Sequence, residues 1–396
     1  MATILSERCE AVSTPAWSYR TAKPVISFDQ ARELTAEHGS PLMCVSRSAV
    51  AANYEALREG LPGVELFYAA KSNPSPTILR TLRELGGSID ICSVGELRAA
   101  LDAGFQPEQM LHTHPCKTMA NLKTCYDAGC RWFVVDNRNE LHKMKEHAPD
   151  ATLLVRVAIT SASSLINLSA KFGCAASEAV DLLCEARDLG MKVNGISFHV
   201  GSQTLVPEDY EAALRTIRSI FDEAAACGIS LEVLDIGGGM PAPYREAVMS
   251  LDVYCYVVRQ ALEQHFGDLP VRIIAEPGRV MSATTATLVT SVIGKSVRPN
   301  GSTQYIIDDG IYGSFSGKIY DHTDFPLLAE DHHARAGYPC VVAGPTCDST
   351  DVVCRDQELP DLAIGELLIV PTMGSYTNAS ASTFNGLDLV REVEVA

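Results

Sequence analysis

Four stretches of this chain carry side chains suited to chemistry, and each stands directly after an apolar run. Lys71 follows Leu66–Ala70 and leads into Ser72-Asn73-Pro74. His199 ends Ile196-Ser197-Phe198 and precedes Val200-Gly201-Ser202-Gln203. Gly237-Gly238-Gly239 follows Leu231–Ile236, and Glu276-Pro277-Gly278-Arg279 closes Arg272–Ala275. Singly, each is a weak signal. An isolated lysine opening a loop is usually solvated, and a lone histidine after a strand is more often structural than catalytic. A tight turn explains three glycines, and an acid and a base three residues apart can be a surface pair of little consequence.

Together they are more telling. A lysine with a lowered pKa can condense with an aldehyde. A flat imidazole can stack on a ring. Adjacent glycines bring backbone N–H groups close to an anion, beside an arginine. A buried carboxylate next to a pyridine nitrogen favours its protonation. These are the parts a pyridoxal phosphate site needs. A protonated ring is an electron sink, able to stabilise the carbanion left when carbon dioxide departs.

Those residues must be positioned by a scaffold. From Glu65 to Gly278 a short apolar run, a turn and an amphipathic stretch alternate. The runs are Leu66–Ala70, Ser88–Cys92, Met110–His114, Trp132–Asp136, Leu153–Ala158, Ile196–Val200, Leu231–Ile236 and Arg272–Ala275. Helical spacing of apolar positions marks Pro76–Leu85, Val94–Ala103, Lys117–Ala128, Ala176–Leu189, Tyr210–Cys227 and Val253–Phe266. Alternation of this kind implies parallel strands with helical crossovers. Eight repeats point to a (β/α)8 TIM-type barrel, with an open doubly wound sheet as the competing architecture. In such a barrel the strands' carboxyl ends face the active site, which is where Lys71, His199 and Glu276 fall.

The pattern changes after Arg279. Thr285–Ile293, Gln304–Asp308, Cys340–Val342, Glu366–Val370 and Leu389–Val395 read as strands. Pro24–Ser27 and Leu42–Val45 are strand-like as well, and Ala329–Gly337 reads as an exposed loop. The expected division is a barrel domain over 47–280 and a β-rich domain formed by 1–46 with 281–396, carrying part of the substrate site.

Composition narrows the partners. A net charge of -17 over 396 residues argues against nucleic acid and anionic membranes. The 13 cysteines are scattered and lack the close pairing of a zinc site, so reduced thiols and no metal are expected. The stretch from Met1 to about Pro24 carries Glu7, Arg8 and Glu10 and no apolar core of a signal peptide. No apolar run is long enough to span a bilayer, and cytoplasm is the expected location.

The chain resembles the alanine-racemase-like, fold-type III pyridoxal phosphate decarboxylases, and within them the ornithine decarboxylase branch. The resemblance runs from about Ser27 to the C-terminus. It rests on Tyr68–Pro74, Ser88–Leu97, His199–Gln203, Asp235–Gly239, Glu276–Arg279, Gly344–Asp348, and Ser375–Tyr376 with Ser382–Gly386. It implies that Lys71 binds the cofactor covalently, that His199 stacks on its ring, and that Glu276 meets the ring nitrogen. Ser202, Gly238, Gly239, Arg279 and Tyr376 would hold the phosphate, with Asp90 and Arg156 near the ring. Cys347 would donate a proton to the carbanion carbon, and Tyr320, Asp321 and Asp348 would surround the substrate's distal amino group. The resemblance further implies a homodimer whose active sites lie at the subunit interface, with Cys347 and Asp348 reaching into the partner's site.

An ammonium leaving water loses several kcal/mol of solvation unless a carboxylate meets it. Cys347-Asp348-Ser349 therefore suits a diamino acid, ornithine or lysine, which one methylene worth about 1–3 kcal/mol separates. Lys318, if it points inward, would disfavour a cationic tail, leaving open a modified or carrier-linked amino acid. Two further readings compete: a fold-type III racemase and a non-catalytic decarboxylase-like binding protein. Glu276 speaks against the racemase, and retention of Lys71, Glu276, Arg279 and Cys347 against the binding protein.

Overall fold

The computed structural model describes residues 18–159, 168–331 and 334–396. Most of the N-terminal stretch read for a leader, and the paired histidines of Ala329–Gly337, lie outside the described residues. The chain divides into two compact units.

The first unit is built mainly of Ala52–Pro241 and Met249–Gly278. Its eight strands are β1 (Val64–Ala69), β2 (Ser88–Ile91), β3 (Met110–His112), β4 (Trp132–Val135), β5 (Thr152–Val157), β6 (Lys192–Phe198), β7 (Val233–Asp235) and β8 (Arg272–Ala275). They form a closed parallel barrel in sequence order, and β8 returns to β1 with Ile273 opposite Val64. Closure rules out the open sheet. Phe67, Leu111, Val134, Leu154, Val233 and Ile274 form one buried cluster, so apolar side chains fill the barrel. On β6, Gly195 leaves room for its neighbour: a Cβ there would lie 2.0 Å from the Val233 carbonyl oxygen.

Side-chain caps fix where several helices begin, and so fix the loops before them. Ser93 accepts from the Glu96 N–H ahead of helix Val94–Asp102, and Thr118 from Asn121 ahead of Met119–Asp127. Asn137 does the same for Arg138–His147, a helix the apolar spacing did not mark. That helix is strongly polar, with only Glu140, Leu141 and Met144 buried.

The second unit comprises Arg20–Ala51, Ala242–Val248 and Arg279–Ala396. Its central strand, Ala286–Val297, pairs antiparallel with Thr303–Ile307, Leu367–Pro371 and Leu42–Ser46. Arg391–Val395 adds parallel to Leu42–Ser46, and Tyr338–Ala343 parallel to Thr303–Ile307. Val352–Leu359 closes one edge and escaped the sequence reading, because Arg355, Asp356 and Glu358 interrupt its apolar run and face solvent. Edge strands commonly carry such charges.

Pro24–Ser27 is not a strand. Ser27 is the N-cap of helix Phe28–His38, completing a capping box with Gln30. Ala31 of that helix packs into a core of Ile26, Leu42, Cys44, Val289 and Ile369. The division between units falls inside helix Arg47–Gly60 and again after Gly278, and it assigns Ala242–Val248 to the β-rich unit. Two side chains of that segment bond within the β-rich unit: Tyr244 Oη accepts from Arg279 at 2.8 Å, and Arg245 pairs with Asp324 at 3.0 Å.

Candidate active site

Lys71 lies in a 3-10 turn, Ala70–Ser72, directly after β1. Its Nζ donates to Asp90 Oδ2 at 2.7 Å and stands 3.9 Å from Glu276 Oε2. Asp90, the penultimate residue of β2, is completely buried, and its other oxygen accepts from the Thr113 hydroxyl at 2.5 Å. Glu276 follows β8, and its backbone N–H donates to the Gly237 carbonyl at 2.8 Å. Burial, then the charges of Asp235 and Asp90, hold its carboxyl well above the usual carboxylate range, and Lys71 opposes them only in part. Asp235, the last residue of β7, is shifted upward by burial, and its Oδ1 accepts from the Gly237 N–H at 2.9 Å. Burial thus favours the protonated form of both carboxyls, the form that suits a neighbouring ring nitrogen.

His199 follows β6, and its Nδ1 accepts from the Gly201 N–H at 2.9 Å. That bond sets the ring's tautomer, placing the proton of the neutral imidazole on Nε2. Burial, then Arg156 and Lys71, keep the ring neutral by lowering its pKa well below the ordinary histidine value. Arg156, on β5, lies with its guanidinium 5.7 Å from the Phe172 ring centre. Ser202 is half-buried in the loop beyond His199.

The three glycines line this wall by necessity. A Cβ on Gly238 would lie 2.5 Å from the Glu276 carbonyl oxygen and 3.4 Å from His199 Nε2. At Gly239, with φ +117°, it would lie 2.4 Å from the Gly201 carbonyl oxygen. No side chain fits, and bare backbone faces the same space as the imidazole. Lysine, paired carboxyls, neutral imidazole and bare backbone fit the aldehyde, ring nitrogen, ring face and phosphate of pyridoxal phosphate.

The β-rich unit carries the remaining expected residues. Arg279 is buried, donates from Nη1 to Tyr244 and pairs through Nη2 with Asp321 at 2.5 Å. Its guanidinium carbon lies 4.8 Å from the Tyr376 ring centre. Burial works against its charge, but Tyr244, Asp321 and Tyr376 outweigh it. Cys347 is exposed, and both its N–H and its thiol donate to Asn385 Oδ1, at 3.1 and 3.2 Å. Asp348 accepts from the Tyr312 hydroxyl and from the Thr350 N–H, and the Tyr312 bond lowers its pKa most. Cys347 and Asp348 open onto a cavity of about 650 Å3 that Arg298 and Arg355 also line. Tyr320 is 68% exposed and therefore no core aromatic. Lys318 is paired with Asp324 at 2.8 Å.

Sequence reasoning missed Thr113, Asp235, Tyr244 and Tyr312. Asp235 stands two residues before the triple glycine, which was a usable signal. Thr113 follows β3 as Lys71 follows β1, a weaker one. Tyr312 and Tyr244 sit in loops without periodicity. Among the described residues no group of three or more histidine, cysteine or acidic side chains could hold a metal ion, and no helix is long and apolar enough to cross a membrane.

A closed (β/α)8 barrel with a lysine between two carboxyls at its strand ends, joined to a β-rich unit, defines the class of fold-type III pyridoxal phosphate enzymes. Residues 47–283 match the family model "Pyridoxal-dependent decarboxylase, pyridoxal binding domain". The chain is 40% identical over 365 residues to a lysine/ornithine decarboxylase of Selenomonas ruminantium, covering 92% of each. A crystal structure of a lysine/ornithine decarboxylase from Vibrio vulnificus, complexed with cadaverine, superposes with a TM-score of 0.88 at 37% identity, over 94% of this chain and 100% of that one. A crystal structure of an SrLDC mutant in complex with PLP gives 0.90 at 38% identity, covering 95% and 96%. The chain belongs to the pyridoxal-dependent decarboxylases, within their ornithine/lysine branch; it is a carboxy-lyase, and its cofactor is pyridoxal phosphate.

Proposed function

We propose that this enzyme decarboxylates a basic L-amino acid, ornithine or lysine, to carbon dioxide and the corresponding diamine. The observation that carries the reading is Lys71 set between Asp90 and the buried, proton-retaining Glu276. Bound through its aldehyde, pyridoxal phosphate would supply the electron sink for the carbanion.

The chain's own residues do the rest. Lys71 holds the cofactor, and Asp90 orients the amine. Glu276, backed by Asp235, keeps a proton at the ring nitrogen. His199, neutral and fixed by Gly201, offers a flat face to the ring, with Arg156 nearby. Ser202, Gly238, Gly239, Arg279 and Tyr376 bind the phosphate. Asp348, kept ionised by Tyr312, and Asp321 with Tyr320 meet the distal ammonium. Cys347 delivers a proton to the carbon that the carboxylate leaves. The pairing of Lys318 with Asp324 satisfies its charge, which removes the reason to look beyond a simple diamino acid.

We further propose a cytoplasmic homodimer in which Cys347 and Asp348 serve the partner's site. Mixing Lys71→Ala with Cys347→Ala protein should then restore about a quarter of wild-type diamine formation, since half the dimers formed by exchange carry one intact site. A release assay for carbon dioxide with ornithine, lysine, arginine and diaminopimelate tests the substrate. Ornithine or lysine should dominate; preference for diaminopimelate or arginine would overturn the reading. Lys71→Ala should lose both turnover and the visible absorbance of lysine-bound cofactor.

A further inference from the structure

We propose that Thr113 is a positioning residue for Lys71: its buried hydroxyl fixes the Asp90 carboxylate by one oxygen, so that the other oxygen holds the lysine amine. Thr113 follows β3, is 2% exposed, and has its backbone N–H tied to the Ile91 carbonyl at 3.1 Å. Its hydroxyl donates to Asp90 Oδ1 at 2.5 Å while Lys71 Nζ donates to Oδ2 at 2.7 Å. Asp90 has no access to water, so these donors replace its hydration. Behind them, Cys92 Sγ lies 3.5 Å from Thr113 Oγ1. Burial, then Asp90, push the Cys92 thiol up to about 12, so it keeps its proton and can donate. Cys92 thus backs Thr113, and Asp90 accepts from Thr113 on one oxygen and from Lys71 on the other.

The consequence is electrostatic. A donor on Oδ1 draws charge away from Oδ2. Without it, Asp90 turns more of its charge on the Lys71 ammonium and holds that proton more firmly. Other groups facing Lys71 include Glu276 beyond β8 and His199 beyond β6, with Cys92 and Glu96 beyond β2 and His114 beyond β3. Thr113→Val alters none of their charges and keeps the shape of the side chain.

The test follows cofactor capture by the apoprotein. The unprotonated amine adds to the aldehyde carbon, a C=N bond replaces the C=O bond, and the oxygen leaves as water. The capture rate, read from visible absorbance after adding pyridoxal phosphate, therefore rises through the pH at which Lys71 releases its proton. Thr113→Val should move that midpoint up by about 0.5–1 pH unit, slowing capture near neutral pH about 3–10-fold. Thr113→Ser should follow wild type. Asp90→Asn should move the midpoint down, and adding Thr113→Val to it should have no further effect. Thr113→Ala repeats the shift should valine not be accommodated.

A valine profile that coincides with wild type, or a serine variant that shifts as valine does, overturns the inference. It rests on Lys71 being the cofactor lysine. If that reading fails, Lys71→Ala captures cofactor as wild type does, and both fall. If only the Thr113 role fails, capture still needs Lys71 and its pH profile stays put.

Discussion

Arg279 and Asp321 form a buried ion pair, 2.5 Å from guanidinium nitrogen to carboxylate oxygen, with each side chain less than a tenth exposed. The family resemblance implies separate tasks for them, phosphate binding and substrate binding. In the fold each is the other's partner, so a phosphate arriving at Arg279 shares the guanidinium with Asp321. Breaking a buried pair by removing one member costs about 3–5 kcal/mol, because a charge is left uncompensated. Asp321→Asn should therefore lower the apoprotein's stability by about 3 kcal/mol. Inorganic phosphate should recover more of the melting temperature in the variant than it adds to wild type. An unchanged melting curve would mean that Tyr244 and Tyr376 alone satisfy Arg279.

Glu276 has a pH signature of known sign. Its folded-state pKa is raised, so between its unfolded value, about 4.3, and that raised value the folded state binds more protons than the unfolded one. Stability must then fall as pH rises through this window. Each pH unit over which the states differ by one proton removes about 1.4 kcal/mol. Glu276→Gln keeps a donor toward Asp235 and carries no such penalty. The apo variant should be more stable than wild type at pH 7 to 8 and lose that advantage near pH 4 (denaturant unfolding across pH reads this). Its kcat should fall by about 100–1000-fold, the scale for a lost electrostatic group at a reacting centre. Gain of stability with loss of turnover is the pattern of a residue held for chemistry.

Tyr312 orients the acid proposed to read the substrate's tail. Its hydroxyl donates to Asp348, and its ring stacks on Phe384 with centres 4.3 Å apart. Asp348→Ala should raise KM for ornithine by about 100-fold, the scale of losing a hydrogen bond between charged groups. Tyr312→Phe keeps the stacking and removes only the donor, so a rise of about 3–10-fold is expected. Steady-state kinetics with norvaline, which lacks the distal amine, provides the control: neither variant should alter its KM. Equal effects on both substrates would remove Asp348 from tail recognition.

Much of this was legible in the chain. The eight barrel strands announced themselves because a parallel strand covered on both faces is apolar throughout, and Arg272–Ala275 was placed to the residue. Lys71, His199 and Glu276 were visible because strand ends are where unusual residues stand out against apolar runs. Helix Phe28–His38 was hidden because only Ala31 is fully buried, so it carries almost no apolar stripe. Thr113 and Tyr312 were hidden for another reason. Their roles exist only as contacts to Asp90, 23 residues away, and Asp348, 36 residues away, which no local pattern encodes.

Cys347 differs from the buried thiols of this chain. Cys44, Cys125 and Cys92 are pushed up to about 12, and burial is the first cause for each. Cys347 instead is exposed beside Asp348, with its thiol donating to Asn385, a residue in the left-handed region at φ 59°. That contact aims the S–H, as the proposed role of proton donor requires. Positioned proton transfer contributes about 100–10,000-fold. Cys347→Ala should slow diamine formation by about 100-fold or more, while carbon dioxide release continues and product is diverted toward decarboxylation-dependent transamination. Measuring both products from one reaction gives a carbon dioxide to amine ratio well above one. Asn385→Ala, which frees the thiol without removing it, should raise the ratio less. A ratio of one in Cys347→Ala, with normal amine yield, would assign the proton to another donor and leave Cys347 without a chemical role.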